Sequence, residues 1–331
     1  MIRLSDEEMK AILHAIPRNP VEENKFLSDI RFFPGRRYEP QTRKVFQPQE
    51  SLLIYEKILA QIKRIDPDRY STMHKGTPFY IMGWLAYEMR DYEKGVFYMD
   101  AALSEDVHNA PTDWKTLPAA AFLFLDDTNM NAAARTITIE AKKEVETHVK
   151  RFARESGEKL NMGSLIDEFF KPHAEVYTYR SIITSLLTFL LESKDLRLQL
   201  DIRSSYGGSL EPFLTHLFKG GLIFESLLKR NYSSAGNTLG KYLEVSKADL
   251  ELKIEVYKRH LPYELEKFPL LLRQWQTENF QERAVAIAYG VRNTSGHDLG
   301  WQDIFSGNIF NELFEGIVNA IFWTIKKAYK V

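Results

Sequence analysis

Residues 288–297 read Ala288-Tyr289-Gly290-Val291-Arg292-Asn293-Thr294-Ser295-Gly296-His297. They close a run in which Ala284, Val285, Ile287, Ala288 and Val291 recur at helical spacing, and another long amphipathic segment, 309–329, follows. The stretch reads as the end of one long helix and the start of the turn before the next. Arg292 and His297 are the residue types that phosphate chemistry uses. A guanidinium offers a planar fork that matches phosphate oxygens. An imidazole exchanges a proton near neutral pH. Five positions along a regular helix rotate a side chain by about 140°, so an unbroken helix would keep the two on different faces. Gly296 can break the helix just before His297 and swing the imidazole back toward the guanidinium. Asn293, Thr294 and Ser295 can bond the freed backbone groups or a phosphate oxygen.

Working outward, helical spacing runs through most of the chain. It predicts helices over 5–15, 50–65, 78–90, 93–104, 114–125 and 129–155 in the first half. In the second half it predicts 174–193, 210–230, 269–293 with a bend near 277–280, and 309–329, with a charged extra helix at 241–259. Ser5 is suited to cap the first, with Asp6, Glu7 and Glu8 at its positive end. No alternating strand pattern is longer than a few residues, so the expected fold is all-α. Residues 17–48 are rich in proline and read as irregular. Their basic-aromatic cluster, Arg31, Phe32, Phe33, Arg36, Arg37 and Tyr38, reads as an arm packing its rings on the first helices, in preference to a nucleic-acid contact. Gly157, Gly163 and Pro172 mark a boundary, giving domains at 1–160 and 170–331.

The 331 residues suffice for two ordinary domains, and 44% hydrophobic with 27% charged residues fits a globular chain. A formal net charge of −1 means that any nucleic-acid surface must be a local patch. The absence of cysteine removes disulfides, thiol nucleophiles and cysteine metal sites. The most apolar stretch, 181–191, lies between Arg180 and Glu192 and is too short to span a bilayer. Residues 1–10 carry both signs of charge and no apolar core. The expectation is a soluble, cytoplasmic protein with no membrane partner. The histidines outside the 288–297 stretch show no ligand spacing, so no metal site is expected.

Two resemblances add to this reading. Gly83, Asp91, Tyr92, Gly95 and Ala102 resemble one tetratricopeptide repeat, with small residues where two antiparallel helices approach and Asp-Tyr at the turn. This implies a TPR-like domain at 1–160 that recognises a protein partner or positions RNA. The second half, about 172–331, resembles the HEPN superfamily, a four-helix bundle carrying Arg-Asn-x-x-x-His at the end of its third long helix. The resemblance implies a metal-independent endoribonuclease without a cofactor, acting on RNA, with Arg292, Asn293 and His297 in the active site. It also implies a homodimer that joins two such sites across its interface. Leu299 stands where a toxin branch of that superfamily carries a modifiable tyrosine, so silencing by that route is not implied. A second copy of the spacing, from Arg69 to His74, lacks a polar residue after the arginine and is expected in an inter-helix loop, as a coincidence.

Overall fold

The computed structural model of the protein describes residues 5–28, 47–128, 132–203, 209–253, 255, 279–294 and 306–331. Among them all regular structure is helical and no strand occurs, so the fold is all-α. No helix among the described residues is long and apolar enough to cross a membrane. The chain divides into two compact units, 1–141 and 142–331. The division falls inside a helix, upstream of the 157–172 stretch that the sequence offers as a boundary.

The first unit opens with α1 (Asp6–Ala15), closed at its start by reciprocal bonds between Ser5 and Glu8. Residues 17–48 are not irregular throughout: α2 (Pro20–Leu27) occupies part of them. Asn19 explains it, because its Oδ1 accepts from the Val21 and Glu22 amides and caps the helix start. The basic-aromatic cluster at 31–38 lies outside the described residues. Next come α3 (Pro48–Ile65), α4 (Pro67–Thr72), α5 (Gly76–Glu88) and α6 (Tyr92–Asn109).

The α5–α6 pair is a close hairpin. A Cβ on Gly83 would stand 3.0 Å from the Gly95 carbonyl oxygen, so a larger residue would force the helices apart. Asp91 caps α6 by accepting from the Lys94 amide, the Tyr92 ring meets Tyr87 edge-on, and Ala102 is fully buried. The segment expected as one helix at 114–125 is broken. Pro118 has no amide hydrogen to continue a helix and holds Leu117 extended, so a 3₁₀ turn, Trp114–Thr116, precedes α7 (Pro118–Leu123). Ala119 to Leu125 are all buried. α8 (Ala132–Ser156) then crosses the division.

In the second unit, Met162–Ser164, a π-helical stretch at Leu165–Phe170 and Lys171–His173 lead to the long helices. These are α9 (Tyr177–Ile202), α10 (Glu211–Asn231), α12 (Phe280–Thr294) and α13 (Gly307–Ala328), with the short α11 (Leu239–Ser246) between the second and third. α10 and α13 each touch all of the other long helices, and the core sits between them. α13 has Phe310, Leu313, Phe314, Ile317 and Ile321 at 0–2% exposure, as expected of a helix enclosed by its neighbours. Glycines set the spacing. A Cβ at Gly220 would collide with Phe189 and Ile317, and one at Gly316 with Ile287. Thus Gly220 and Gly221 in Lys219-Gly220-Gly221 are helix-packing contacts.

The charged helix expected at 241–259 stops at Ser246. Glu251 adopts a left-handed backbone, φ 55°, and lets the Leu252 amide return to the Lys247 carbonyl. This closure normally advertises itself with glycine; here a glutamate takes it, so the pattern conceals the end. Residues 256–278, including the expected start and bend of the third long helix, lie outside the described residues.

Candidate functional site

Arg292 sits in the last turn of α12, which ends at Thr294. Its position is fixed by the crossing with α10. A Cβ on Gly221 would stand 3.0 Å from the Arg292 Cβ and 3.2 Å from its Cα, so only a glycine admits this approach without displacement. From the same face of α10, Glu225 accepts the Arg292 Nε–H at 2.6 Å. The Phe218 ring lies under the guanidinium, 4.9 Å from its carbon to the ring centroid. Phe218, Gly221 and Glu225 follow one another at three- and four-residue spacing, the repeat of one helical face. The Arg292 side chain keeps 27% of its surface exposed, and Asn293 beside it is exposed.

This arrangement holds the guanidinium plane rather than enclosing it. Nε is one of five N–H donors on the fork, and the carboxylate contact uses that edge. Of the sequence-derived set, then, the structure puts Arg292 and Asn293 together at one helix end. Thr294 closes the helix, while Ser295 and His297 lie outside the described residues.

Sequence reasoning missed Glu225 and Phe218. They are 67 and 74 positions before Arg292 (292 − 225; 292 − 218), and no local pattern joins them to it. The only signal is the i, i+3, i+7 series on α10, which by itself reads as ordinary packing.

Two other polar regions of the second unit matter electrostatically. A cavity of about 270 Å³ among α8, α12 and α13 is lined by Arg151, Arg283, Glu155, Glu312 and Glu315. Arg151 pairs with Glu155 at 2.8 Å and with Glu315. Burial pushes the Glu315 carboxyl up and Arg151 pulls it down; the balance is upward. Arg151 thus pairs with two of the three carboxylates named in the cavity lining. Nearby, His148 on α8 is buried edge-on against Phe314, and desolvation, helped by the Arg151 charge, lowers it to about 4. Among the described residues no group of three or more His, Asp and Glu is arranged to hold a metal ion.

No protein-family model, curated protein or solved structure matches the chain.

Proposed function

We propose that the second unit is a metal-independent endoribonuclease that cleaves single-stranded RNA through its own 2′-hydroxyl, with Arg292, Asn293 and His297 as catalytic residues. The observation that supports it most is the Arg292 geometry: a part-exposed guanidinium at a helix end, oriented by Glu225 through Nε and backed by Phe218. In the reaction the 2′-oxygen attacks the adjacent phosphorus and the bond to the 5′-oxygen breaks. His297 takes the 2′-hydroxyl proton or returns one to the leaving oxygen, which an imidazole near its ordinary pKa of about 6.5 does well. Arg292 stabilises the charge that accumulates on the phosphorane oxygens. Asn293 orients the imidazole or the phosphate, and Thr294 and Ser295 contact the substrate. The products are a 2′,3′-cyclic phosphate and a 5′-hydroxyl. Each chain supplies one Arg-His pair, and a homodimer would join two. The HEPN-like reading of the second unit and the TPR-like reading of the first, with its partner-binding role, belong to the same proposal, as does a cytoplasmic location.

The decisive measurement is cleavage of a labelled RNA in excess chelator by wild type, Arg292→Ala and His297→Ala. The expected loss is about 10²–10³-fold for Arg292→Ala, the scale of removing a donor to a developing anion. A DNA strand of the same sequence should survive. Equal cleavage by all three proteins would reject the assignment. One observation favours a second reading, a non-catalytic helical adaptor: Arg292 already has a carboxylate partner, as a purely structural arginine would. That reading expects no cleavage and a loss of stability in Arg292→Ala.

A further inference from the structure

A second concave surface lies between α9 and α10, beside the face that holds Arg292. It is a groove of about 370 Å³. Lys219, Lys229 and Arg230 line it from α10, and no carboxylate is among its described lining residues. Hydroxyls of Ser181, Ser185 and Ser226 line it too. The Ser181 and Ser185 hydroxyls donate to backbone carbonyls of their own helix, which leaves each oxygen able to accept from a ribose hydroxyl or a base N–H. At its rim Tyr177 is 66% exposed, its ring resting near the Arg180 guanidinium at 5.6 Å. Leu222, 38% exposed, supplies an apolar floor.

For a chain of net charge −1, this is a local concentration of positive charge beside an exposed ring. The negative end of the α10 dipole accounts for Lys229 and Arg230, in its last turn, but not for Lys219 in its middle, nor for Tyr177 on another helix. Lys219 has a partner in Glu192 at 3.4 Å, so Lys229 and Arg230 supply the larger part of the groove's charge. Cations that follow a backbone, hydroxyls and an exposed aromatic for stacking are the components of single-strand recognition.

We infer that the α9–α10 groove binds a segment of single-stranded RNA about two to three nucleotides long (about 15 Å of helix separates Lys219 from Lys229) beside the scissile position, its phosphates on Lys219, Lys229 and Arg230 and one base on Tyr177. The inference rests on the ribonuclease reading above. α10 links the two features. Its Phe218–Gly221–Glu225 face holds Arg292, and its Lys219–Leu222–Ser226 face, one residue round the helix, forms the groove wall.

The test is fluorescence anisotropy of a labelled single-stranded 12-mer RNA with wild type, Lys229→Glu/Arg230→Glu and Tyr177→Ala, with cleavage of the same RNA measured beside it. Arg230, Lys229 and Tyr177 are exposed, so the variants should fold, and circular dichroism checks this. The charge reversal is expected to weaken binding at least 10-fold and to flatten the salt dependence of log K by about 0.7 per lost phosphate contact. Tyr177→Ala should weaken it about 10-fold, the scale of one lost stacking contact. Arg292→Ala should lose cleavage about 10²–10³-fold and lose far less binding than the groove variants do. Unchanged affinity and salt slope in the groove variants would overturn the inference, even if wild type cleaves and the nuclease reading stands. Binding lost in those variants with no cleavage by wild type would keep the groove and remove the nuclease.

Discussion

Arg69 in the first unit and Arg292 in the second each stand five positions before a histidine, and their surroundings differ. Arg69 is not in a loop, as its flanking Asp66-Pro67-Asp68 suggests, but within α4. Its Nε donates to Glu23 at 2.7 Å and its Nη2 to the Pro17 carbonyl at 2.6 Å, which tie α4 to the start of α2. His74 turns elsewhere, toward Asp106 at 3.4 Å. That arginine is a clamp: its Nε and Nη2 are both engaged and its partner Glu23 is only 5% exposed. Arg292 has one carboxylate on one edge, an aromatic beneath it, and a place at a helix end. The lesson is that a spacing of residue types carries no chemistry by itself. Among the described residues the two differ in what they meet: a carboxylate and a backbone carbonyl for Arg69, a carboxylate and an aromatic face for Arg292.

The contrast can be broken most directly at Arg69. Arg69→Ala leaves the Glu23 carboxylate buried without its cation, and should cost about 3 kcal/mol of stability. Urea unfolding would measure it, and RNA cleavage below the transition should equal wild type. A stable Arg69→Ala protein that no longer cleaves would reverse the roles assigned to the two arginines.

A smaller effect distinguishes the second unit by pH. His148 is held near 4 in the folded chain, by burial first and the Arg151 charge second, against about 6.5 when unfolded. Between those values the unfolded state binds more protons, so stability falls as pH drops through that window and levels off below it. From pH 7 to pH 5 the loss should be about 2 kcal/mol. Thermal melts at the two pH values should show it for wild type, with a reduced loss in His148→Leu. An undiminished loss in that variant would place the acid sensitivity elsewhere.

The finest test concerns Glu225. Glu225→Gln keeps an oxygen for the Arg292 Nε–H but removes the charge, and should lower cleavage about fivefold, near 1 kcal/mol. Glu225→Ala, which frees the guanidinium plane, should lower it further. If the two variants cleave equally well as wild type, orientation by Glu225 has no part in the reaction.

Much of this architecture was legible along the chain. Ser5 with Glu8, the Asp91 cap, the Gly83–Gly95 crossing and the apolar rows of 210–230 and 309–329 are local signals, read from neighbours at most a few turns apart. The departures have separate local causes. Asn19 caps α2 inside a proline-rich stretch, Pro118 breaks the helix expected at 114–125, and Glu251 takes left-handed backbone, φ 55°, without being glycine. The candidate site was half legible. Arg292 and Asn293 at a helix end follow from their own stretch, whereas Phe218 and Glu225 do not.

The sequence by itself determined an all-helical chain, the places of its long helices and the residue types able to act on a phosphate, because capping and helical periodicity are short-range properties. Only the tertiary structure decided that Arg69 is a clamp and Arg292 a part-exposed group held by one edge, and that cations and a tyrosine from separate helices share a groove. Those outcomes depend on which helix faces pack together, and packing joins residues that the chain keeps far apart.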